Sequence, residues 1–187
     1  MVFDIFDDEE IKKYKKVWKI LESNFKIPHI LTPSLSDKSN FCMGTGDIFV
    51  TGTAGVTSII LESIPESIHY ILGLLNSKLI SFYVIKHSPI FQGGYHKFSS
   101  NYLKKIPIRR IDLNKSSEKE IYSSIIKNVD KILSLNKSLS EIKDKQTDEK
   151  ARLEKEIQKL DNEIDEEVYK LYGITEEEKK IIEESMK

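Results

Sequence analysis

Residues 67–85 read SIHYILGLLNSKLISFYVI, and their spacing decides the fold. Ile68, Ile71, Leu72, Leu75, Leu79, Phe82 and Tyr83 recur at steps of one, three and four, which lines them along one face of a helix. An apolar helix face needs a partner, and the preceding segment supplies it. Residues 27–31, 40–43, 47–53 and 57–61 are short, rich in Ile, Val, Phe and Thr, and punctuated by Gly44, Gly46, Gly52 and Gly55. They read as strands of a small sheet, with the helix lying across it as the main brace. Upstream, Asp7, Asp8, Glu9 and Glu10 precede Ile11, Tyr14, Val17, Trp18 and Leu21, the pattern of an amphipathic helix with acids at its positive end.

After the brace, residues 87–97 form a loop around Pro89 and Gly93-Gly94, and Ser99 or Ser100 caps a short helix reaching Leu103. Residues 106–108 are extended by the proline rule at Pro107. The remainder is helical. Ile121, Ile125, Val129, Ile132, Leu135, Leu139 and Ile142 make one stripe; Leu153, Ile157, Leu160, Ile164, Val168 and Leu171 make a second. The apolar-free stretch KDKQTDEK at 143–150 predicts a turn between two antiparallel helices of about 25 residues each. Gly173 reads as a C-cap, and Thr175 with Glu178 as a capping box that opens a last short helix. The expected fold class is α+β. A small mixed sheet braced by helices occupies residues 1–112, and a long antiparallel coiled-coil hairpin occupies residues 113–187.

The 187 residues carry a net charge of −1, but it is unevenly spread. Residues 1–111 balance at +4 and residues 112–187 at −5. From Ser67 to Ile111 there is no acidic residue, while Lys78, Lys86, Lys97, Lys104, Lys105, Arg109 and Arg110 all fall there. That local positive field suits a polyanion. No apolar run approaches the roughly 18 residues that span a bilayer. The N-terminus is acidic where a signal peptide is basic. Cytoplasmic residence is expected. Cys42 stands alone, which excludes an internal disulfide and a cysteine zinc cage, and reads as a small buried side chain.

Catalytic motifs are missing. There is no Walker A loop, GxSxG elbow, HExxH or Rossmann fingerprint, and the four histidines lack ligand spacing. No residue is assigned to catalysis or to a metal, and no cofactor is expected. Two polar loops could instead contact DNA. Thr51, Thr53 and Thr57 offer hydroxyls on a turn of small residues. Lys86, His87, Gln92, Gly93, Gly94, Tyr95, His96 and Lys97 combine cations, an amide able to pair with adenine, an aromatic ring and glycines. Lys104, Lys105, Arg109 and Arg110 complete the candidate set as phosphate contacts.

In order, LLNSKL at 74–79, Phe82-Tyr83, FQGG at 91–94 and LKKIPI at 103–108 resemble the TaqI-like C-terminal specificity domain of restriction–modification enzymes. The set is also similar to the repeating half of type I specificity subunits, and the helical tail matches their spacer. The resemblance covers residues 27–111 and implies sequence-specific recognition of double-stranded DNA. It also implies delivery of the site to an adenine-N6 methyltransferase, as a subunit or as a domain fused in a type IIG enzyme. The methyltransferase's NPPY-type motif and a PD-(D/E)xK nuclease pattern are absent, so the chain is read as a non-catalytic specificity module. Asn76, Ser77 and Pro107 are read as scaffold. Pairing of two copies through the coil would give a bipartite target. The competing expectation is a coiled-coil interaction module that binds no DNA.

Overall fold

The computed structural model describes residues 27–44, 55–61, 64–142 and 148–186. Strand β1 (His29–Pro33) leads through the short β2 (Leu35–Ser36) to β3 (Cys42–Gly44), and β4 (Val56–Ile59) follows. The order β3-β1-β4 is antiparallel, with Ile30 opposite Met43 on one side and Ile59 on the other. As the central strand, β1 buries His29, Ile30 and Thr32. Cys42 lies exposed on β3 and is not a core residue; its neighbour Phe41 points inward in its place. The first amphipathic helix and the strand expected at 47–53 fall outside the described residues.

The brace is two helices. α1 (Ile68–Asn76) and α2 (Lys78–His87) meet at a bend of 64°. Ser77 is extended there (φ −64°, ψ 152°), and its hydroxyl accepts the Ile80 N–H while donating to the Leu74 carbonyl at 2.7 Å. A serine that caps one helix start at the end of another breaks the rod even though the apolar stripe runs on. Asn76 explains the break's position. Its side-chain amide accepts the Phe41 N–H at 2.8 Å and donates to the Phe41 carbonyl at 2.9 Å, as a strand backbone would. Lys78 N–H then donates to the buried Asp165 carboxylate at 2.8 Å.

Next come β5 (His96–Lys97), which pairs with β2, and α3 (Ser100–Leu103), which follows Ser99 as expected. α4 (Ser116–Glu141) and α5 (Asp148–Tyr172) run antiparallel, Asn128 facing Glu163 and Lys131 facing Glu156. α6 (Glu176–Ser185) opens on the Thr175–Glu178 capping box, after Gly173 at φ 67°. Ile125, Val129, Ile164, Val168 and Leu171 share one core with Ile30, Tyr70 and Leu74. The inner parts of the hairpin stripes are therefore spent on each other and on α1. Gly73 permits that approach, since a Cβ there would lie 2.7 Å from Ile125 Cγ2. Among the described residues no single helix is long and apolar enough to cross a membrane.

Candidate nucleic-acid interface

The loop after α2 is internally bonded. Ile90 bridges His96, the Phe91 N–H donates to the Tyr95 carbonyl at 2.6 Å, and the Gly94 N–H donates to the Phe91 carbonyl at 3.1 Å. Gly93 and Gly94 sit at φ 83° and 81°, where any side chain would be strained. Gln92 opens this 3-10 turn. The loop's root is buried. His96 is turned inward with Nδ1 3.3 Å from Ser88 Oγ, and Phe98 is sealed beneath it, edge-on to Phe41. Its tip is open. Ile90 is 74% exposed, Phe91 44% and Tyr95 48%.

One cation sits at this tip and others lie on α2 and after α3. Lys97 Nζ lies 4.7 Å from the Phe91 ring centre, and Lys86 Nζ 5.3 Å from that of Phe82. His87 stacks on Tyr83 with ring centres 4.1 Å apart, and the Tyr83 hydroxyl donates to the Lys105 carbonyl at 2.9 Å. Tyr83 thus ties the end of α2 to the exposed pair Lys104 and Lys105. No described carboxylate forms an ion pair with Lys86, Lys97, Lys104 or Lys105.

The other three cations of the acid-free stretch are neutralised. Lys78 Nζ lies 3.1 Å from Asp165, Arg109 pairs with Glu118 at 3.2 Å, and Arg110 Nε donates to Glu66. Glu118 also accepts the Asp112 N–H, which, ahead of Lys115 and Arg109, holds its carboxyl below the usual range. The arginine segment is strapped down as well. The Tyr70 hydroxyl donates to the Arg109 carbonyl at 2.8 Å; the Tyr172 hydroxyl donates to the Pro107 carbonyl at 2.8 Å and accepts the Arg109 N–H at 3.0 Å. Counting charges along the sequence could not reveal this, because Glu66 and Glu118 stand just outside the acid-free stretch and reach in through the fold. Thr57 is half-buried on β4, its hydroxyl 3.3 Å from that of Ser34. Thr51 and Thr53 lie outside the described residues. Within the candidate loop, the structure shows Ile90 and Phe91 as its exposed apolar tip, in the Pro-Ile-Phe run against the glycine pair.

A model described as the TaqI-like C-terminal specificity domain matches residues 3–108. Two similar proteins are the type II methyltransferase M.HincII of Haemophilus influenzae and the type II methyltransferase M.HindII of the Rd strain of that species. Each is 41% identical over 107 residues, 57% of this chain. The chain spans about a fifth of their length, 21% and 20% respectively.

Proposed function

The chain belongs to the TaqI-like C-terminal specificity domain family, and from that premise we propose that it reads specific double-stranded DNA in a restriction–modification system. It does no chemistry itself. It positions an adenine-N6 DNA methyltransferase, as a partner subunit or as a fused domain, on the site it has bound. The observation that carries this reading is the set of four lysines, 86, 97, 104 and 105, left without a described carboxylate, with Lys97 over the Phe91 ring of an exposed aromatic loop. Such a surface offers cations to phosphates and polar groups to base edges. The similarity to two type II methyltransferases supports the choice of partner. A coil serving only as an interaction module is less favoured, because stripe residues Ile125, Val129, Ile164, Val168 and Leu171 are buried in the chain's own core.

The test is selection from a randomised duplex pool at about 50 mM salt, with sequencing of the bound fraction. An enriched motif is expected. Retention without enrichment, or none at all, would refute the proposal.

A further inference from the structure

The geometry points to a second role for the 88–97 loop: Ile90, Phe91 and Tyr95 form an apolar wedge that inserts between stacked bases of the bound duplex. This rests on the DNA-reading function above and adds a mode of contact to it. Three of the large exposed hydrophobic side chains among the described residues stand on this one turn. Several exposed apolar side chains gathered on one built turn mark a contact surface. The turn is held by the Phe91–Tyr95 and Gly94–Phe91 backbone bonds and rooted in buried His96 and Phe98. It therefore arrives at its target already shaped, and little ordering cost opposes insertion.

The surroundings select the occupant. Lys97 lies over the Phe91 ring, and Lys86, Lys104 and Lys105, at the exposed ends of α2 and α3, have no described acidic partner, so a polyanion is attracted and an acidic-poor protein surface is not. A polyanion that also presents flat apolar faces is a nucleic acid. Apolar side chains that enter a base step unstack it and kink the duplex, a cost recovered through the extra backbone contact that bending allows. Lys97, over the Phe91 ring, is placed to make that contact.

The experiment uses the full chain and a duplex carrying the motif enriched by selection, with 2-aminopurine placed singly at each adenine. The parent should brighten 2-aminopurine at one step, as base stacking is lost. Ile90→Ala with Phe91→Ala should abolish the brightening and weaken binding about tenfold, the loss expected for stacking contacts. The slope of log K against log salt should not change, because no phosphate contact is removed. Lys104→Ala should do the reverse, lowering the slope while the brightening persists. Both tip residues are exposed, so thermal melting of the variant should match the parent and exclude misfolding. Parent binding with no brightening, or a tip variant of unchanged affinity, overturns the wedge alone and makes the tip a contact for protein. A tip variant whose salt slope falls also overturns it, since the loss would then be electrostatic through Lys97. A parent that binds no duplex overturns the wedge and the DNA-reading function together.

Discussion

Lys104-Lys105 and Arg109-Arg110 are two basic pairs joined by the three residues Ile106-Pro107-Ile108. The lysines follow α3 with exposed side chains, held by backbone bonds to Ser100 and Tyr102 and by the Lys105 carbonyl on Tyr83. The arginines are bonded at backbone and side chain to Tyr70, Tyr172, Glu118 and Glu66. Equal formal charge has been put to different uses. One pair keeps its charge without a described carboxylate, and the other fixes the helical hairpin to the rest of the fold. A basic stretch is an interface only where the fold withholds its counterions.

Several substitutions would break or sharpen this contrast. Lys104→Ala with Lys105→Ala should weaken duplex binding about 50-fold near 0.1 M salt, if each lysine releases about one counterion. Thermal stability should stay within about 0.5 kcal/mol, as for other surface changes. Arg110→Ala should behave in the opposite way. It strands the Glu66 carboxylate, only 6% exposed, and should cost about 1–3 kcal/mol in urea unfolding with affinity nearly unchanged. If Arg110→Ala instead weakened binding as much as the lysine pair, the two regions would not differ in role.

Tyr172→Phe removes a hydroxyl that both donates to Pro107 and accepts from Arg109. A loss of about 1–2 kcal/mol is expected by thermal melting, since the Arg109 N–H is left to find another partner. The smallest effect should come from Asp161→Asn and should depend on pH. Burial, then the nearby Asp165 charge, raises the Asp161 carboxyl from its ordinary 3.8 to about 6. Between those values the folded chain holds a proton that the unfolded chain releases, so stability falls as pH rises through this window. The asparagine variant should be the more stable protein at pH 8, by about 1 kcal/mol, and the difference should vanish below pH 4.

How far the sequence could be read follows from the range of each interaction. The strands at 29–33, 42–44 and 56–59 and the paired helices of 26 and 25 residues follow from local periodicity and glycine placement. The Thr175–Glu178 box depends on residues three apart and was equally legible. The break at Ser77 was not, because the apolar stripe continues past it while Asn76 bonds to Phe41, 35 residues away. The same holds for the site. The loop composition marked residues 86–97, but which cations remain free depends on Glu66, Glu118 and Asp165, which the fold brings in from outside. His96 shows the converse, a polar residue in the candidate loop whose ring faces the core.

The salt dependence of duplex binding tests the central claim most directly. Four free lysines predict a slope of log K against log salt near −4, by about 0.9 per phosphate neutralised, that survives Arg110→Ala unchanged. A slope near −6, as seven free cations would give, and reduced by Arg110→Ala, would contradict it. So would a slope near zero.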